Sequence, residues 1–283
     1  MLTIVKYTIK EMARKRALLF VALLTAGFLA IYGYGLHMVF RNTGNSGNFT
    51  NVFYYIQYSQ LLSAGLYFGS FIVAFLTVLT SVSAISGDVE SSAIYAVLVK
   101  PIKRYEVVLG KFIGYGIILT VYSSFFFLAI IGLNIATGNK LTFQFSNILK
   151  AMFYFDLGPI AFLSFVVCMS SMLSTVNTGV ISVMAYGIAM IGGILEQIGT
   201  LIPKGEGQGL INAGIITSLV MPTDVIFRKM TSELLSTSEG FSFITGGLFG
   251  AQSQPSPYMI GYIFAYIVFL VIYGSVKFTH RDL

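Results

Sequence analysis

Two kinds of residue in this chain could do chemistry. One is a run of charged side chains packed into a single short stretch; the other is a few lone ionisable groups inside long apolar segments. The stretch is GDVESSAIYAVLVKPIKRYEVVLGK, residues 87–111, with four bases and three acids between two segments that carry no charge. Its chemistry is electrostatic contact, since no nucleophile–base pair accompanies it. Asp88 and Glu90 fall in the first turn of an expected helix, where carboxylates complement exposed N–H groups and the helix dipole. Ile94, Val97 and Leu98 share one face, Pro101 ends the helix at Lys100, and Lys103 and Arg104 follow. A loop that only reversed the chain would need none of this. A charged, folded element with its own apolar stripe is built to dock against something.

The lone groups are Asp156 and Glu196. An ionisable side chain inside a span costs about 2.5–3.5 kcal/mol on the insertion scale and so invites a functional hypothesis. Asp156 is followed by Gly158 and Pro159, which permit a kink. Both acids sit toward the outer boundary of their segments, where a solvated or Lys150-paired carboxylate is the simpler expectation. The alternative is that either one lines an outer exit for a cationic or polar substrate. His37 and His280 fall on opposite sides and cannot share a metal. Cys168, between Val167 and Met169, is expected to be a buried, inert thiol, and one cysteine excludes an intrachain disulfide framework. No G-x-x-x-x-G-K-[ST] is present, so any ATP must be bound by another polypeptide.

The elements that must position these residues follow from composition. Of 283 residues, 56% are hydrophobic and 10% charged, with mean hydropathy +0.83. Soluble domains carry about 25% charged residues, so the solvent here is lipid. The net charge of +6 comes from clustered bases rather than a basic face on a soluble fold, which argues against nucleic acid. A span needs about 20 mainly apolar residues. Segments 17–40, 61–85, 112–133, 151–173, 178–200 and 258–276 meet that, with SSMLSTVNT (170–178) as a tight turn between the fourth and fifth. LINAGIITSLVM, 210–221, is too short to span and suits an interfacial or re-entrant helix; with PTDVIFRKM it is expected to form short helices around Pro222, in an outer helical hairpin or loop over 202–257. The expected fold is therefore all-α and integral to the membrane, with six spans in one domain.

With six spans, eleven bases from Lys6 to Arg281 fall on the side of the termini, against Arg41, Lys140 and Lys150 in the short segments opposite. That bias places both termini in the cytoplasm. The first apolar run lacks a convincing small-x-small site after it and is expected to be retained. Ahead of it, Leu2, Val5, Ile9 and Met12 recur at steps of three and four, with Lys6, Lys10, Arg14 and Lys15 on the other side. Residues 1–16 thus form an amphipathic helix in the interface, bases toward anionic headgroups.

Glu90 followed by AIYAVLVKPIKRYEVVLGK resembles the membrane subunits of type-2 ATP-binding-cassette exporters, and the resemblance runs along most of the chain. It implies that residues 87–105 form a coupling helix seated in a groove on a separate ATPase subunit. Asp88, Glu90, Ile94, Val97, Leu98, Lys100, Pro101, Lys103 and Arg104 would make that contact, with residues 1–16 as a connector beside it. ATP and Mg would be bound by the partner and no cofactor by this chain. A second membrane subunit, identical or not, would complete the pathway in the cell membrane. Members of the family often carry Gly two residues after the Glu; Ser92 stands there here. The rival readings are a secondary transporter, which would need internal repeats and broken midplane helices, an integral-membrane enzyme, which would need clustered acids or histidines, and a non-transporting assembly subunit that uses the ATPase.

Overall fold

The computed structural model describes residues 1–43, 51–92, 103–137, 144–202, 207–236 and 255–280. The described residues form helices α1 (Leu2–Arg14), α2 (Arg16–Thr43), α3 (Asn51–Ser81), α4 (Ser86–Glu90), α5 (Arg104–Ala136), α6 (Phe145–Met172), α7 (Thr175–Leu201), α8 (Gln208–Val220), α9 (Thr223–Leu235) and α10 (Pro257–Thr279). Six of these, α2, α3, α5, α6, α7 and α10, are long and apolar enough to cross a membrane. They extend beyond the apolar limits expected from sequence, because a helix continues satisfying its backbone after it leaves lipid.

Burial sorts the spans by role. Only 17% of the most apolar stretch of α2 is buried, against 61% for α3 and α6. α2 lies on the outside of the bundle, and the other two form the interior. α6 is the central post, with α3, α5, α7, α9 and α10 all packed on it. Leu62 and Leu66 of α3, Phe126, Phe127 and Ile130 of α5 and Phe155 of α6 join in one continuous core. Each such side chain contributes about 1.5–3 kcal/mol when withdrawn from water; in lipid the gain is packing itself, since tails are as apolar as leucine.

One end of the bundle gathers α1, the end of α3, α4, the start of α5 and the end of α10. Lys15 at the α1–α2 junction donates to the Thr80 carbonyl at 3.2 Å and to Tyr115 Oη at 3.4 Å. Arg104 donates to the Thr279 carbonyl at the end of α10 at 3.2 Å. We call this the basic end. At the opposite end Asn134 donates to Tyr32 Oη at 2.9 Å, and Asn147 donates to Ser236 Oγ at 3.0 Å.

Three details depart from the sequence expectation. The turn at 170–178 shrinks to Leu173 and Ser174, because Thr175 can begin α7 with a side chain from elsewhere capping it. The helix expected from Asp88 onward stops at Glu90, and Ser92 takes a left-handed φ of 60°. Residues 93–102, with Ile94, Val97, Leu98, Lys100 and Pro101, lie outside the described residues. The buried face of α1 is Ile4, Val5, Thr8 and Met12, whereas Leu2 is 79% exposed. Gly110 and Gly114 of α5 open a groove that receives Ile4 and Thr8, and that groove sets the rotation of α1. Short-range apolar spacing could not reveal it.

The expected re-entrant element is a pair. α8 and α9 meet at Met221 and Pro222 with a bend of 102°. α8 lies along α7, and α9 packs against α6.

The groove generates a prediction. A Cβ at Gly114 would approach Thr8 Cβ to 2.7 Å, so Gly114→Val should lift α1 off α5. In a Cys168→Ser background, Thr8→Cys should resist a soluble maleimide and become labelled once Gly114→Val is added.

Candidate functional site

The helical ladder of α3 ends at Ser81, and the chain crosses residues 82–85 before α4 begins. That crossing frees backbone groups in buried surroundings, and each unpaired group would cost about 1–3 kcal/mol. Ser170, fully buried near the end of α6, satisfies several at once. Its Oγ accepts from the backbone N–H of Ile85 and of Ser86, each at 3.1 Å, and donates to the Val82 carbonyl at 3.0 Å. The Ser86 and Thr175 hydroxyls meet at 2.9 Å.

Two charged groups complete the clamp. Lys111, about two turns into α5 and only 3% exposed, donates to the Ala84 carbonyl and pairs with Asp88. Glu90 reaches across to the start of α7: Thr175 N donates to its Oε1 at 2.7 Å and Thr175 Oγ1 to its Oε2 at 2.8 Å. No side chain of α7 itself caps that terminus. Glu90 therefore acts as a cap supplied from another helix, with its charge at the positive end of the dipole. Five residues of α4 are thereby tied to α5, α6 and α7 together.

Of the nine expected contact residues, the structure thus turns Asp88 and Glu90 toward the bundle, with Glu90 still exposed at the surface. Lys103 is exposed, its Nζ 5.9 Å from the Tyr105 ring centroid, and Arg104 binds the end of α10. Sequence reading took Lys111 as a topological base and the end of the LGK motif, and placed Ser170 and Thr175 in a tight turn, with no side-chain partner for any of them. Nothing in local spacing pairs Lys111 with residues 23 and 27 positions away, or Ser170 and Thr175 with residues 84 and 85 away.

Asp156 is not paired with Lys150. It is 8% exposed and accepts from Ser123 at 2.5 Å and Ser124 at 2.6 Å, both on α5, and so fastens α5 to α6. Glu196 is bound in a buried network. Arg228 of α9 donates to it through both terminal nitrogens, at 2.6 and 2.7 Å, while Arg228 Nε lies 3.0 Å from Asp224. Gly193 of α7 makes room, since a side chain there would overlap the Asp224 carboxylate. The i, i+4 spacing of Asp224 and Arg228 was the available signal for half of this network; the Glu196 half is tertiary. Among the described residues no group of three His, Cys, Asp or Glu could hold a metal.

A family model described as "ABC-2 family transporter protein" matches residues 2–283. The chain belongs to the ABC-2 transporter family. No curated protein matches it. The six-span bundle and the family together make it a multi-pass membrane protein of permease type, a transport component that works beside an ATP-binding subunit. In this ABC-2 protein the clamp holds α4, at the start of the stretch 87–105.

Two predictions follow from charge and backbone. Arg228→Met strands two buried carboxylates and should lower stability by roughly 3–5 kcal/mol, measured as a fall in unfolding temperature in nanodiscs. Arg228→Lys should recover only part of this, because it cannot reproduce the two-pronged contact with Glu196. At Ser92, with φ of 60°, Ser92→Gly should be neutral or stabilising by up to about 1 kcal/mol, and Ser92→Val destabilising.

Proposed function

We propose that this chain is the membrane subunit of an ATP-driven exporter, in which a separate ATPase subunit engages residues 87–105 and drives substrate out of the cytoplasm. The observation that carries this reading is the clamp. α4 is too short to be held by its own hydrogen bonds, yet it is fixed to α5 by Lys111, to α6 by Ser170 and to α7 by Glu90. A push on the segment that follows α4 is thus delivered to three spans at once. α1 lies against the start of α5 through Ile4 and Thr8 and would move with it.

Orientation is part of the proposal. Eleven bases on the side of the termini favour a cytoplasmic basic end, the side where ATP is available. The functional complex would pair two membrane subunits with two ATPase subunits, and ATP with Mg would be held by the latter. Ile94, Val97 and Leu98 would supply the apolar contact to the ATPase, with Lys100, Pro101 and Lys103 beside them. Glu90 and Asp88 would transmit force more than they bind the partner.

The roles separate experimentally. Affinity purification from the native membrane should recover an ATP-binding subunit with the wild-type chain. The double variant Lys100→Glu/Lys103→Glu should lose that subunit. Glu90→Gln should keep it, while ATP no longer changes the accessibility of a cysteine placed on α7. If no ATPase accompanies the wild-type chain in mild detergent, the proposal fails and a secondary transporter becomes the better reading.

A further inference from the structure

Glu196, Asp224 and Arg228 are 6%, 6% and 2% exposed, so two acids are buried together and share the one guanidinium of Arg228. A brace between α7 and α9 would need only one acid. Glu196 takes both terminal nitrogens of Arg228, whereas Asp224 Oδ2 faces Nε without an aligned hydrogen bond. The second carboxylate is therefore weakly compensated, and a buried uncompensated charge is unfavourable unless something pairs with it.

Asp224 also forms part of the wall of a cavity of about 150 Å³ between α3, α7 and α9. The rest of that wall is largely aromatic: Tyr67, Phe68, Phe71, Tyr186 and Phe227. The rings form two groups, Tyr67 edge-on to Phe227 at 5.1 Å and to Phe68 at 6.2 Å, and Phe71 against Tyr186 at 6.0 Å. Phe68 and Phe71 are about half exposed, at 50% and 48%, and mark an opening at the surface of α3. Tyr67 and Phe227 are buried and form the floor. A narrower void of about 30 Å³ shares Ser70, Tyr186, Thr223 and Phe227 and continues toward Pro159.

A carboxylate in a box of aromatic faces is complementary to an organic ammonium ion. The ring quadrupoles attract a cation, the carboxylate neutralises it, and the apolar walls accept its methyl groups. A metal ion would find one weakly compensated carboxylate and no further cluster of ligands, and an anion would meet that carboxylate. We propose that this cavity binds the cationic head of an amphiphilic organic ammonium compound, with the head against Asp224 and the apolar tail leaving past Phe68 and Phe71. Its role as a substrate site rests on the transport function proposed above; the binding itself does not.

The test uses the intact chain in nanodiscs and radiolabelled dodecyltrimethylammonium, with empty nanodiscs setting the background partition into lipid. The wild type should show saturable binding above that background, competed by the unlabelled cation and not by dodecyl sulfate. Asp224→Asn should weaken binding by about tenfold or more. Tyr186→Leu should weaken it roughly fivefold, and Tyr186→Phe, which keeps the ring, should retain it. If Asp224→Asn fails to elute as folded protein on size exclusion, Tyr186→Leu, Tyr186→Phe and Phe71→Leu decide the question alone. Binding no greater than in empty discs overturns the proposal, as does equal binding by wild type and Tyr186→Leu. An ATPase that co-purifies with a chain binding no cation would overturn this site and leave the transport function standing. Cation binding without any ATPase would do the reverse.

Discussion

Wherever a helix stops in apolar surroundings, the backbone groups it releases must find a partner, because lipid offers none. That requirement organises this fold more than any single apolar contact. The break after α3 is repaired by Ser170 and Lys111, and the start of α7 by Glu90. The end of α8 is repaired by Tyr262 and Tyr266 of α10, which donate to the carbonyls of Leu219 and Val220. The end of α10 is repaired by Arg104. In each case the partner comes from a different element, so satisfying the backbone also decides which helices stay together.

The two ends of the bundle use charge differently as a result. At the basic end two buried or half-buried lysines are individually paired, Lys111 with Asp88 and Lys15 with Glu11, and they hold short segments in place. At the opposite end the charges are concentrated in one buried network that holds the α8–α9 pair onto α7 and leaves an acid in surplus. Glycines permit both arrangements. Gly110 and Gly114 let α1 approach α5; Gly192 and Gly193 of α7 make room for Thr217 and Asp224, and Gly214 of α8 makes room for Glu196 of α7.

Much of the candidate site was legible before any coordinates. The compact charged stretch at 87–111, the helix start at Asp88 and the short element at 210–221 follow from spacing, proline and charge. What each acid touches was not legible. Asp156 looked as though it would be solvated or paired with Lys150, its neighbour along the chain, and instead binds two serines of α5. Glu90 is held by Thr175, 85 positions away. Only the packing of helices brings such residues together, and no periodicity along one helix encodes it.

The amino-acid sequence by itself determined that the chain belongs in lipid, which six of its segments are long and apolar enough to span, and where its charges interrupt them. Those properties depend on hydropathy and length, which are local and additive along the chain. The tertiary structure alone decided the rotation of α1, the clamp on α4 and the union of Glu196, Asp224 and Arg228 beside an aromatic cavity. Those depend on which faces meet and on the unmet hydrogen-bonding groups that each helix end presents, and these exist only once the helices have packed.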